Sequence, residues 1–177
     1  MKKVLYIFGE LKDQDIDWIS GVGSKEFKTA GTVLIHEGVP IETLYIILQG
    51  KFEVLLANKT KIAEMGVGDV AGELSFLDSR PPVASVAAIT NSYVLAIAVS
   101  RLKSKLLSDL GFASRFYRAL GILLADRLRE RSIDPNQKST NLEEDIEEFG
   151  EISAEIMGTM GLAATRFDNM LRKVMSS

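Results

Sequence analysis

Apolar and polar positions along the chain follow three regimes. Between residues 27 and 99, the runs GTVLIHEG, TLYIILQG, KFEVLLAN, KIAEMGVG, VASVAAIT and SYVLAIAV are each bounded by turn residues, with glycines at 31, 38, 50, 66, 68 and 72. Short apolar or alternating runs, recurring at about 8 to 12 residues, predict an antiparallel β-roll of jelly-roll type. Before it, Val4, Leu5, Ile7, Phe8, Leu11, Ile16, Trp18 and Ile19 mark a small helical lid, with Asp13 expected to cap a helix over Gln14 to Ser20. After it, Ser100 is expected to cap RLKSKLLSDL, Gly111 to close that helix, and a longer helix to run from Phe112 to about Arg131. Phe116, Leu120, Leu123, Leu124 and Leu128 form one stripe of the long helix, bordered by Arg115, Arg118, Arg127, Arg129 and Arg131. Asp134-Pro135 should end it, since the residue before a proline disfavours the helical conformation.

The third regime is a tail. Leu142, Ile146, Phe149, Ser153, Ile156, Met160, Ala163, Phe167, Met170 and Val174 are spaced four-three-four-three, the seam of a coiled coil or docking helix. Asn141 with Glu144 suggests a capping box, whereas Gly150, Gly158 and Gly161 each weaken a continuous helix by about 1 kcal/mol relative to alanine. The expected class is therefore α+β: a β-roll flanked by N-terminal and C-terminal helices (residues 1–133, roll about 27–99, long helix about 112–132), a polar linker at 134–141, and a helical tail at 142–177.

Composition removes several function classes. The chain has no cysteine and one histidine, so disulfides, thiol catalysis and thiolate metal sites are excluded. Net charge is −3, and the segment from Asn141 to Ser177 carries eight acidic against three basic side chains, which suits neither phosphates nor nucleic acid. The opening MKKVLYIFGE is interrupted at Gly9 and Glu10, too early for a signal peptide or a membrane span, so a cytoplasmic location is expected. His36, Tyr45, Phe52 and Tyr93 sit on strand patterns and read as solvated or core side chains. No nucleophile–base pair or carboxylate cluster of catalytic spacing occurs in the strand region, and the expectation is a non-catalytic protein.

The candidate chemistry lies in AGELSFLDSRPPVASVAA, from Ala71 to Ala88. Gly72 permits close backbone approach and Pro81-Pro82 remove donors, so this stretch reads as a binding loop opening on one helical turn. Exposed amides at such a turn favour an anion. Glu73 would repel a phosphate and is better suited to accept from sugar hydroxyls, leaving the phosphate to Arg80 or the amides. An ordinary strand–turn–strand connection is the alternative.

GTVLIHEGVPIETLYIILQGKFEVL, GVGDVAGELSFLD and ASVAAITNSYVLAIAVSRLKSKL, in that order, resemble the cyclic nucleotide-binding domain family, over about residues 4 to 133. The resemblance implies a catabolite-activator-like roll without the DNA-binding domain, with cAMP or cGMP as ligand. Gly72 and Leu74 would offer amides, Glu73 would accept from the ribose 2′-hydroxyl, Ser75 would lie beside the cyclic phosphate, and Val83, Ala84 and Ser85 would close the site. It also implies a homodimer through the stripe Phe116, Leu120, Leu123, Leu124 and Leu128, with Arg131 and Ser132 lowered over the base. One departure stands out: the family's phosphate-neutralising arginine falls on Pro82, so a contact worth about 1.5–3 kcal/mol is missing unless Arg80 supplies it. The reading is a cyclic nucleotide sensor that signals to a partner through its C-terminal helices. Its rivals are a degenerate dimerisation scaffold without nucleotide and a sensor of another anionic ligand.

Overall fold

The computed structural model describes residues 2–132 and 154–176. Two helices, α1 (Lys2–Glu10) and α2 (Asp13–Val22), precede strands β1 (Ser24–Lys28), β2 (Val33–Ile35), β3 (Thr43–Gln49), β4 (Phe52–Leu55), β5 (Lys61–Met65) and β6 (Val70–Ala71). The short helix α3 (Glu73–Asp78) follows, then β7 (Ser85–Ala88), β8 (Ser92–Ala98), α4 (Val99–Ser108), the long α5 (Leu110–Ser132) and α6 (Ala154–Met175).

Two antiparallel sheets of four strands, ordered β1-β8-β3-β6 and β2-β7-β4-β5, face each other as a roll. Strand β3 explains why its sequence, TLYIILQ, is apolar without interruption. Alternate residues of a strand point to opposite faces. Leu44, Ile46 and Leu48 enter a core shared with the helices, whereas Ile47 enters the core between the sheets with Ile35, Phe52, Met65 and Val94. Strand β8 divides in the same way, Leu95 and Ile97 towards the helices and Val94 towards the other sheet. The expected β-roll with flanking helices is thus the observed fold. Its first strand, SKEFK, pairs with β8 from Ser24↔Ala96 to Lys28↔Ser92 and starts ahead of the apolar runs, because four of its five residues are polar.

Helix ends differ from the sequence expectation in three places. Helix α2 takes Lys12 as its N-cap, with the Lys12 N–H donating to Asp15 Oδ2 at 2.8 Å, and Asp13 turns instead to Arg166. Helix α4 starts at Val99 behind Ala98, not behind Ser100. The break between α4 and α5 falls at Asp109, not at Gly111: Asp109 Oδ1 accepts the Phe112 N–H at 2.8 Å. That bond, followed by the Lys105 ammonium, holds the Asp109 carboxyl below its ordinary value.

The long helix turns most of the expected stripe inward, into the chain's own core. Phe112, Phe116, Ala119, Leu120 and Leu123 are all buried in the chain's own core, with Phe112 against Trp18 at 5.4 Å between ring centroids. Phe116, Leu120 and Leu123 are therefore unavailable to a second subunit, which corrects their expected dimer role; of the five, only Leu124 is half-buried and Leu128 exposed. The tail seam is corrected in the same sense. Ala163, Phe167, Met170 and Val174 are buried in the chain's own helical core, with Phe167 edge-on to Phe8 at 5.6 Å. Arg166 donates to Asp13 Oδ1 (2.6 Å) and to the Phe8 carbonyl (3.1 Å), and Lys173 pairs with Asp17 (2.8 Å). Leu142, Ile146, Phe149, Ser153, the Asn141–Glu144 cap and the linker lie outside the described residues, as do the side chains of Ile156 and Met160.

Candidate functional site

Strand β6 delivers the chain to Gly72, whose φ of +96° lies in the left-handed region. A Cβ there would also sit 3.2 Å from Ile41 Cδ1 and 3.4 Å from the Thr43 carbonyl, so glycine is needed both for the turn and for the close approach. Helix α3 begins immediately, and its own sequence sorts its faces. Glu73 and Phe76, three residues apart, lie on one side of the helix and are both buried; Leu74 and Leu77 lie on other sides and are exposed. Phe76 packs edge-on to Phe116 of α5 at 5.9 Å. Glu73 meets α5 as well: Arg127 Nη1 donates to Glu73 Oε1, and Arg127 Nη2 donates to the Val70 carbonyl at 3.2 Å. One arginine of the long helix thus clamps both the end of β6 and the start of α3.

Beside this clamp is a cavity of about 650 Å3, within the range of roughly 300–1,000 Å3 typical of small-ligand sites. Its walls are mainly apolar, from Ile35, Val54, Met65, Val70, Leu74, Val83 and Val86. The charged side chains that line it are Glu64, Glu73, Asp78, Arg80 and Arg127, three carboxylates against two guanidiniums. Each has a partner. Glu64 pairs with Lys61 (2.9 Å) and Lys51 (3.2 Å), whose hydrogen bonds, Lys61 first, hold its carboxyl below its ordinary value. Arg80 Nε lies 3.5 Å from Asp78 Oδ2, and the Arg80 side chain is 83% exposed.

Gly72, Glu73, Leu74, Ser75, Arg80, Val83 and Ala84 all line the cavity, together with Pro81 and Pro82. Ser85 does not: it accepts the Glu37 N–H on its Oγ at 3.0 Å, while its neighbours Ala84 and Val86 face the cavity. Arg131 and Ser132 fall in the last turn of α5, and their side chains lie outside the described residues. Arg127 is the residue that sequence reasoning noticed only as one of several arginines on the helix. A signal existed, since Arg127 is one turn ahead of Arg131 on the same helix face, but nothing local ties it to Glu73, 54 residues earlier.

Magnitudes decide what the arginine can do. Stripping one partner from a buried ion pair costs roughly 3–5 kcal/mol, whereas a hydrogen bond to a charged group returns roughly 1.5–3 kcal/mol. A ligand phosphate therefore cannot draw Arg127 off Glu73 by charge alone. The pair still leaves Glu73 chemically competent, because a carboxylate with one oxygen engaged retains further acceptor positions for hydroxyl donors. Among the described residues, no group of three His, Asp or Glu side chains is arranged to hold a metal ion, and no helix is long and apolar enough to cross a membrane.

Comparison with known proteins places this geometry. Residues 25–109 match the family model of the cyclic nucleotide-binding domain. Among curated proteins, an uncharacterised NTE family protein of Mycobacterium tuberculosis is 25% identical over 118 residues, which is 67% of this chain but 20% of that protein's length. The chain thus covers about a fifth of the curated relatives it matches. Among solved structures, a cyclic nucleotide-binding domain from Methylobacillus flagellatus covers 79% of this chain and 85% of its own at 23% identity and a TM-score of 0.67. The Thermus thermophilus catabolite activator protein covers 97% and 87% at 19% identity and a TM-score of 0.61. At those identities the likeness is one of fold. The regulatory subunit of a cAMP-independent protein kinase A from Trypanosoma brucei is 27% identical, covering 75% of this chain and 43% of that one with a TM-score of 0.53.

Proposed function

The roll of this chain is a domain of the cyclic nucleotide-binding family, and from that premise we propose that the protein is a non-catalytic, cytoplasmic ligand sensor. Its ligand is a nucleoside moiety of the kind that cAMP or cGMP presents, held with ribose hydroxyls on Glu73 and the base against the apolar walls. The observation that carries this reading is the contact of Glu73 with Arg127. Through it, the ligand-facing carboxylate and the long helix are mechanically one unit, and a ligand that differs in affinity between two positions of α5 shifts the balance between them.

The path continues beyond α5. Tyr6 Oη donates to Asp126 Oδ1 at 3.1 Å, next to Arg127, and Phe8 and the Phe8 carbonyl hold α6. A movement of α5 is thereby felt in α1 and then in α6, which is the surface we assign to a protein partner. Dimerisation uses the outer face of α5. Leu110, Ser114, Tyr117, Gly121, Leu124 and Leu128 are spaced four-three-four-three-four, Leu110, Tyr117 and Leu128 are exposed, and a Cβ at Gly121 would meet nothing within 4 Å. Such a stripe is complementary to its own copy about a two-fold axis.

A second reading is favoured by one observation. Pro81, Pro82 and Val83 form the cavity wall where a phosphate counter-ion is expected, and Arg80 is held at the exterior by Asp78. On that reading the fold is a scaffold that binds no nucleotide. Thermal unfolding and calorimetry of the whole chain with cAMP, cGMP, adenosine and guanosine separate the two, combined with sedimentation and with hydrogen exchange on α5 and α6. The sensor reading expects a raised Tm with at least one compound, slower exchange in α5, and a dimer at micromolar concentration. No shift with any of them at millimolar concentration leaves the scaffold, and a monomer removes the role of the α5 outer face.

A further inference from the structure

We propose that the cavity takes an uncharged nucleoside in preference to its cyclic phosphate, an inference that rests on the sensor reading above. The walls provide what an aromatic base requires: Ile35, Val54, Met65 and Val86 are apolar, and a space of about 650 Å3 accommodates a nucleoside with room for water. Glu73, in the lining, provides what ribose requires, a carboxylate with acceptor positions beyond the one Arg127 uses. No lining cation is left unpaired for a phosphate. The lining carries three carboxylates and two guanidiniums, and both guanidiniums are paired within that same lining, Arg127 with Glu73 and Arg80 with Asp78.

Arg127 is not readily released, and the Arg80 side chain stands in solvent. Glu73 is buried, so withdrawing Arg127 would strand a carboxylate in a largely apolar space. Arg80 is placed by its own backbone, since the Arg80 N–H also donates to Asp78 Oδ1 at 3.0 Å and the preceding Ser79 has a φ of +59°. The wall where a cation would be useful is Pro81-Pro82-Val83, with neither charge nor, at the prolines, an N–H. A monoanion entering this cavity loses water and meets no unpaired cation in the lining; a neutral nucleoside loses little and meets an acceptor for its hydroxyls.

The test compares adenosine, guanosine, cytidine and uridine with cAMP and cGMP by calorimetry on the whole chain, and repeats the comparison on Pro82→Arg. The expected result is that at least one purine nucleoside binds threefold or more tighter than its own cyclic phosphate. In Pro82→Arg the ratio of cyclic-phosphate to nucleoside affinity should rise about tenfold or more, the equivalent of one charge-assisted hydrogen bond. Residue 82 is half-buried and its carbonyl accepts the Gly38 N–H at 2.8 Å, a bond that arginine retains, and an unchanged circular dichroism spectrum certifies the fold. Cyclic phosphates that bind the native chain as tightly as or tighter than the nucleosides overturn the inference while leaving the sensor reading intact. A Pro82→Arg protein in which that ratio does not rise shows that charge is not what excludes the cyclic phosphate and overturns the inference too. Absence of binding by all six compounds overturns the sensor reading, and this inference with it.

Discussion

The two ends of α5 present the same chemistry in different surroundings. Near its start, Arg115 holds Asp15 in a two-pronged contact, Nε to Oδ2 at 2.7 Å and Nη2 to Oδ1 at 2.9 Å. Twelve residues on, about 18 Å along the helix, Arg127 holds Glu73. Side-chain exposures are nearly identical, 21% and 1% for Arg115 and Asp15, 22% and 4% for Arg127 and Glu73. Burial therefore does not distinguish the pairs; what lies behind the carboxylate does. Asp15 is enclosed by helices and also accepts the Lys12 N–H, so its pair joins α2 to α5 and nothing more. Glu73 opens on the cavity, so its pair joins α5 to whatever enters there. A buried ion pair is structural or communicative according to whether a third group can reach it.

The largest effect that would break this comparison is on the enclosed pair. Arg115→Ala leaves Asp15 charged with no cation and no access to water, and should cost about 3–5 kcal/mol, read as a lowered urea midpoint with a ligand-induced Tm shift that persists at its native size. Loss of that shift would show that the helical pair also communicates. Arg127→Ala should cost a similar amount, about 3–5 kcal/mol, because Glu73 is as buried as Asp15. Its signature is different: the ligand-induced change in hydrogen exchange of α5 and α6 disappears while the β-roll still responds. Exchange coupling that stays intact in both variants would erase the distinction drawn here.

The smallest effect is a pH dependence. Burial alone would raise the Asp15 carboxyl, but the Arg115 hydrogen bond, the Lys12 N–H and the Arg115 charge together outweigh it and hold the value below the ordinary 3.8. A carboxyl depressed on folding stabilises fully above its unfolded value, and that stability drains away as pH falls through the lower folded one. Urea midpoints of Asp15→Asn measured between roughly pH 5 and pH 2 should therefore fall less steeply than those of the native chain. Equal slopes would mean that other carboxylates carry the acid limb.

The strands and the glycine turn into α3 were legible because their signals are local. Gly72 must adopt a positive φ where β6 turns into α3, and the apolar runs of β3 and β8 announce strands buried on both faces. SKEFK was not legible as a strand, since an edge strand that pairs only with β8 needs backbone groups and few apolar side chains. Nor were the helix caps, where Asp15 acts in place of Asp13, Ala98 stands in place of Ser100, and Asp109 marks the break in place of Gly111. Competing polar residues within one turn differ by less than the tertiary contacts that choose between them, as Asp13 shows by turning to Arg166.

By itself the sequence determined the roll, the glycine turn and the position of Pro82 where a cation is expected, because each follows from residues within a few positions of one another. Only the tertiary structure decided which apolar face of α5 is core and which is free, that the tail seam closes on α1 and α2 of its own chain, and that Arg127 reaches Glu73. A helical period says that a face is apolar but not what will cover it. That choice belongs to packing between segments far apart in the chain, and here it turns one of many helix arginines into the floor of the cavity.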